Sequence, residues 1–209
     1  MAQTASGPPK VNPVVQSICK VFLTISGWKI SGEYPPHPRS VIIFAPHTSN
    51  WDFVYMLPAV FALGLKPNWL GKKELFFWPV KYFFLILGGI PVDRNASLRM
   101  VDQTAEALKE RQQAILGIAP EGTRSKSKYW KSGFYHIAEK AGVPVNFCYL
   151  DYAQKVAGVQ EGFLPSGDVE ADMEIVRTFF AQKGQHGKYP ENIGEIILKP
   201  RPKQIEGTD

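Results

Sequence analysis

Two hydrophobic rhythms alternate along this chain. Short, unbroken apolar runs of strand length, among them Val41–Ala45 and Ala114–Ala119, are followed by longer stretches in which apolar residues return every three or four positions. The runs predict strands at Val41–Ala45, near Trp69, and at Gly89–Asp93, Ala114–Ala119, Val143–Leu150 and Glu195–Lys199. The longer stretches predict helices at Pro13–Ser26, Ser49–Leu65, Glu74–Leu85, Ala96–Arg111, Ser132–Ala141 and Val169–Gln182. In the 96–111 segment, Leu98, Val101, Ala105 and Leu108 share one face with charges opposite, the mark of a helix lying on a core. Strands alternating with helices predict an α/β fold, a single domain with a mixed, largely parallel sheet flanked by helices. Residues 1–10 read as a disordered leader, 11–30 as an N-terminal helical segment, 31–199 as the domain proper and 200–209 as a flexible tail.

Length and composition set the scale. A chain of 209 residues with 44% apolar and 21% charged side chains can bury a core without disulfides. Its two cysteines, Cys19 and Cys148, form no CxxC pair and no Cys/His cluster, which argues against a disulfide framework or a structural zinc. Charge-free segments such as 53–65 and 82–92 are too short to cross a bilayer, and the first residues lack the plan of a secretory signal. The net charge of +5 is uneven: residues 66–140 carry 13 basic and 7 acidic side chains, so the positive excess lies in the middle third. Such an excess suits an anionic lipid surface or a phosphorylated small molecule. Nucleic acid is not expected, because no DNA- or RNA-binding motif accompanies the charge.

Two segments suggest where the lipid would be. The 11–30 stretch is mostly apolar, with Lys20, Lys29 and Trp28, and suits either a helix packed on the domain or one lying in the headgroup region. From Leu75 to Leu87 aromatic residues occur all round, with Lys81 as the one charge. That density, beside Lys72 and Lys73, suits an acyl-chain tunnel or a membrane-dipping surface better than an ordinary buried helix. The expected location is the cytoplasmic face of a membrane, held peripherally or monotopically.

Candidate chemistry gathers where strands end. His47 follows the Val41–Ala45 run and precedes a helix, the place where α/β proteins put ligands. Asp52 lies five residues on. Within one helix the two would sit about 140° apart, but in a turn entering a helix they can converge. A carboxylate on the imidazole Nδ1–H would leave Nε2 free as a base, and a helix N-terminus would disfavour imidazolium. Ser49-x-x-Asp52 is equally a capping box. Pro120-Glu121-Gly122-Thr123-Arg124-Ser125 follows another apolar run, with a glycine for close approach, a guanidinium suited to phosphate and two hydroxyls. A surface loop with a Glu121–Arg124 ion pair is the plain reading of the same residues. Gly89-Ile90-Pro91-Val92-Asp93-Arg94 supplies another arginine. His37 and His186 look solvated, and His136 looks structural.

In order, His47-Thr-Ser-Asn-Trp-Asp52, Gly89–Arg94, Pro120–Ser125 and Val143-Pro144-Val145 resemble the four blocks of the glycerolipid acyltransferase family, the lysophospholipid acyltransferases. Lys131-Ser-Gly133 and Ala141-Gly142 resemble the segment joining its third and fourth blocks, so the likeness runs from about residue 39 to 150. It implies a glycerol-3-phosphate acyltransferase-like fold, a catalytic pair at His47 and Asp52 (the HX4D motif), and phosphate-binding arginines at Arg94 and Arg124. Glu121, Gly122 and Thr123 would shape the acceptor pocket. The implied donor is a fatty acyl thioester of coenzyme A or acyl carrier protein, a co-substrate, with no metal or prosthetic group. The implied acceptor is a lysophospholipid, by default 1-acyl-sn-glycerol-3-phosphate giving phosphatidate in phospholipid biosynthesis. After Val145 the chain continues Asn-Phe-Cys-Tyr-Leu-Asp, more polar than the family's fourth block, which leaves another lyso-lipid or hydroxylated acceptor open. An acyl-thioester or lipid hydrolase using the same pair is the alternative reaction, and a non-catalytic membrane-binding module the alternative class. No G-x-S-x-G supports a serine hydrolase.

Overall fold

β2 (Arg39–Phe44) runs through the middle of a seven-stranded sheet whose order is β1-β7-β6-β2-β5-β3-β4. The computed structural model describes residues 7–33, 36–92 and 97–199. The other strands are β1 (Lys29–Ser31), β3 (Asn68–Lys72), β4 (Gly89–Val92), β5 (Ala114–Ile118), β6 (Val145–Asp151) and β7 (Val156–Phe163). Every neighbouring pair is parallel except the β6–β7 hairpin, so the sheet is mixed and largely parallel. The helices are α1 (Pro13–Ile25), α2 (Trp51–Ala62), α3 (Val80–Ile86), α4 (Ser97–Glu110), α5 (Gly133–Ala141) and α6 (Val169–Lys183).

Alternation along the central strands divides the core into two. Val41, Ile43 and Ala45 join the cluster that takes in Leu108 of α4, Phe134 and Ile137 of α5, and Phe179 and Phe180 of α6. Ile42 points the other way, to Leu23 of α1 and Met56 and Val60 of α2. The sheet is thus covered on both faces, which is why β2 reads as an unbroken apolar run rather than an alternating one.

Several sequence-based expectations change. The Glu74–Leu85 helix is shorter and later, because Pro79 cannot continue a helix: a single 3-10 turn at Lys73–Leu75 precedes α3. Glu195–Lys199 forms no strand; its contribution is one parallel bridge, Trp130 to Leu198. β1 and β7, which the apolar pattern did not indicate, close one side of the sheet. Trp28, which a helix lying in the headgroup region would place at its boundary, is buried at 5% exposure. Ahead of α1, the Val11 and Lys66 amides donate to the Gly64 and Pro9 carbonyls. The first six residues and residues 200–209 lie outside the described residues.

Candidate active site

Register brings the pieces of the site together. β2 and β5 are parallel neighbours paired Ile43 to Ile118, so the loops leaving their carboxyl ends emerge side by side. One carries His47, the other Glu121 to Arg124. The chain then steps from β2 over β5 to β3, and later from β5 back over β2 to β6, which makes this edge a switch point of the kind where open sheets bind ligands.

Asp52 is completely buried in the first turn of α2. Its Oδ2 accepts from the backbone amides of Thr48 at 2.6 Å and Ser49 at 2.8 Å, and lies 3.2 Å from His47 Nδ1. Ser49 Oγ in turn accepts from the Trp51 amide at 3.2 Å. The two readings of Ser49-x-x-Asp52 therefore merge: the carboxylate that caps the turn is the one that meets the imidazole. With Nδ1 occupied, Nε2 is the nitrogen left for the cavity that half-buried His47 lines. Tyr152, at the start of the β6–β7 turn, donates its hydroxyl to Asp52 Oδ1 at 2.8 Å.

Glu121 closes the other side of the loop. Its Oε2 accepts the backbone N–H of His47 at 2.9 Å. Burial pushes its carboxyl up to about 7; the His47 amide partly offsets this, and the charge of Asp52 adds to it. No Glu121–Arg124 ion pair forms. Arg124 instead donates to the Asn50 side chain and stays exposed, its guanidinium beside the cavity mouth. Gly122 has φ +67°, in the left-handed region where an L side chain is strained, so this turn favours glycine. Thr123 Oγ1 accepts from the Ser125 amide at 3.3 Å.

The cavity itself holds about 440 Å³. His47, Asn50, Thr123 and Arg124 stand on its polar side, while Phe44, Phe53, Met56, Leu57, Trp69 and Phe84 make it apolar. Phe53 and Trp69 meet edge to face at 4.8 Å, and Phe76 and Phe84 pack on the same indole. Part of the aromatic 75–87 segment thus forms cavity wall. Trp78, Phe83 and Ile86 face outward, Ile86 at 80% exposure.

Residues 28–150, more than half of the chain, match the family model described as Acyltransferase. The chain belongs to that family. Among relatives, it is 29% identical over 131 residues to a 1-acyl-sn-glycerol-3-phosphate acyltransferase of Streptococcus pneumoniae, a match covering 56% of this chain and 47% of the other. The chain thus matches about half the length of that relative. Its fold is similar to the crystal structure of the 1-acyl-sn-glycerophosphate (LPA) acyltransferase PlsC from Thermotoga maritima, with TM-score 0.56 and 20% identity. That match covers 81% of this chain and 78% of that one.

In this member of the Acyltransferase family, His47, Asp52, Glu121, Gly122, Thr123 and Arg124 converge at the carboxyl ends of the central strands. Arg94 lies outside the described residues; β4, whose end precedes it, is separated from β5 by β3. Of the remaining histidines, His37 pairs with Glu161 at 3.1 Å and His136 with Glu139 at 3.2 Å, both elsewhere, while His186 pairs with Asp151 at 3.0 Å beside the turn that bears Tyr152. Sequence reasoning missed Tyr152 and Asn50. Asn50 lay inside the first block and could have been noticed, whereas Tyr152 falls in a turn between strands, one of them unforeseen.

Proposed function

We propose that this chain transfers a fatty acyl group from an acyl thioester, of coenzyme A or acyl carrier protein, to the free hydroxyl of a lysophospholipid. The default acceptor is 1-acyl-sn-glycerol-3-phosphate, the product phosphatidate. One observation carries the reading: a histidine backed by a buried carboxylate lines an apolar cavity whose mouth holds a guanidinium. In this reading His47 Nε2 takes the acceptor's hydroxyl proton as that oxygen attacks the thioester carbonyl, and Asp52 stabilises the imidazolium that forms. The tetrahedral intermediate then collapses, the C–S bond breaks, and the thiolate leaves with the proton from His47. The acyl chain occupies the aromatic cavity while Arg124 and Thr123 hold the acceptor's phosphate, and Arg94 is assigned to the same phosphate from the family motif. Substrates and side chains handle every proton and group in this scheme, with the thioester as co-substrate.

The membrane supplies the acceptor in this proposal. Val14, Ile18, Val21 and Ile25 on α1, and Trp78, Phe83 and Ile86 on or just before α3, present apolar side chains outward. They would seat the chain on an anionic bilayer surface without spanning it. Among the described residues no helix is long and apolar enough to cross.

Thiol release from palmitoyl-coenzyme A, with and without lysophosphatidate, tests the reaction. Release that requires the acceptor, and falls roughly 10²–10⁴-fold or more in His47→Ala, is expected for loss of a general base. Acceptor-independent release would make the chain a hydrolase. Turnover surviving unchanged in His47→Ala would end the proposal.

A further inference from the structure

The carboxylate behind His47 has a donor that none of the four sequence blocks contains. Asp52 is fully buried, so each of its oxygens must find donors within the protein. Oδ2 has three: the Thr48 and Ser49 amides and His47 Nδ1. The donor that the structure gives Oδ1 is the Tyr152 hydroxyl at 2.8 Å. Tyr152 reaches it because β6 runs parallel to β2, with Cys148 opposite Phe44, so the turn after β6 opens at the same sheet edge as His47. The phenol is held on several sides. Its ring meets Trp28 edge-on at 5.0 Å and Tyr55 at 6.2 Å, and its backbone N–H donates to the His186 carbonyl at 2.8 Å. Burial, then the charge of Asp52 and the hydrogen bond to it, push the phenol well above its usual range, so it stays an O–H donor.

We propose that Tyr152 is a positioning residue for the His47–Asp52 pair, its hydroxyl anchoring Oδ1 so that Oδ2 faces the imidazole with a fixed share of the negative charge. The inference rests on the acyl-transfer reading for its kinetic test. A plain aromatic filler in the Trp28–Tyr55 cluster would need the ring alone.

Tyr152→Phe keeps the ring and removes the donor. A buried Oδ1 without its partner concentrates charge towards Oδ2, which then holds the imidazolium more tightly. Among the described residues, the charged and titratable groups around the pair include Glu121 and Arg124 from the loop after β5, Lys131 against Gly122 of that loop, Tyr55 of α2, Lys188 and Tyr189 from the segment after α6, and Asp151 with His186 beside the turn. Tyr152→Phe leaves all of them in place.

The experiment measures kcat and kcat/KM against pH for the wild type, Tyr152→Phe and Tyr55→Phe. In Tyr152→Phe, kcat falls roughly tenfold and the acidic limb of kcat/KM moves about half a unit or more to higher pH, with acceptor KM little changed. Tyr55→Phe leaves the limb in place. A Tyr152→Phe profile whose acidic limb coincides with the wild type overturns the inference, even if kcat falls. Should that variant not fold, 3-fluorotyrosine at position 152, a stronger donor of nearly the same shape, moves the limb to lower pH, and no movement sinks the idea. If the wild type transfers no acyl group, the acyl-transfer reading falls, and the inference is judged by nitrogen-15 resonances of the His47 ring. These shift in Tyr152→Phe and not in Tyr55→Phe, or Tyr152 does not act on the pair.

Discussion

Asp52 accepts hydrogen bonds from four donors, two of them backbone amides of the turn it caps, so local folding and the proposed chemistry of the pair draw on one side chain. Glu121 is the opposite case, a carboxylate whose burial works against its charge. Its folded-state value of about 7 lies above the ordinary 4.5, so the folded chain holds this proton where the unfolded chain releases it. Below about pH 4.5 both states are protonated and the neutral carboxyl is no burden. As pH rises towards 7 the unfolded state gains from ionising first and stability falls; above 7 the loss is complete. Glu121→Gln, which never ionises and still offers an oxygen to the His47 amide, should gain on the parent across that window. A gap on the order of 1–3 kcal/mol should persist above pH 7. Chemical denaturation of both proteins at pH 5 and pH 8 measures it, and an equal difference at the two pH values would show that Glu121 ionises freely in the folded chain.

At the scale of elements, what the sequence revealed depended on where each element's energy resides. β2, β5 and β6 are covered on both faces, so their apolar runs alone mark them, and the motif residues at the ends of β2 and β5 could be located with them. β7 left no such trace. Its segment VAGVQEGF contains two glycines that read as loop, yet packing demands both: a Cβ at Gly158 would stand 2.3 Å from the Tyr149 ring, and one at Gly162 would stand 2.2 Å from the Val145 carbonyl oxygen. With β7 unseen, the turn bearing Tyr152 could not be placed, which is why this part of the site was illegible. β1, at three residues, is below any periodicity signal. Ile196 and Leu198 gave a strand-like run because they pack on the core as a strap beside Trp130. Gly158→Ala tests the packing account. The buried Tyr149 ring cannot retreat easily, so the variant should lose about 1–3 kcal/mol in urea denaturation, as overpacked sites do. An unchanged midpoint would mean that the hairpin has slack there.

At the scale of the whole molecule, the proposed reading asks one side of the sheet both to wall the cavity and to meet the membrane. α1, α2 and α3 share this side: Leu23 of α1 and Met56 of α2 lie in one cluster, and Phe84 of α3 meets Phe53 of α2 at 6.2 Å. The apolar cavity opens among α2, α3 and the strand ends, so its aromatic wall adjoins the outward residues Phe83 and Ile86. An acyl chain leaving a bilayer pressed against this side could enter without first crossing water, and basic residues of the middle third, such as Lys66, Lys73 and Lys81, would meet anionic headgroups. The two contributions predict different responses to salt. Charge attraction is screened over about 10 Å at 0.1 M, whereas insertion of Ile18, Ile25 and Trp78 is not. The protein should sediment with vesicles containing anionic phospholipid at low salt and be released only in part at high salt. Ile18→Glu with Ile25→Glu, at positions 62% and 82% exposed and so outside the core, should weaken binding roughly tenfold or more at both salt concentrations. Complete release by salt would reduce the surface to electrostatics alone. Wild-type protein left in the supernatant at low salt would remove the membrane from the proposal and require a lysophospholipid delivered from micelles or a carrier.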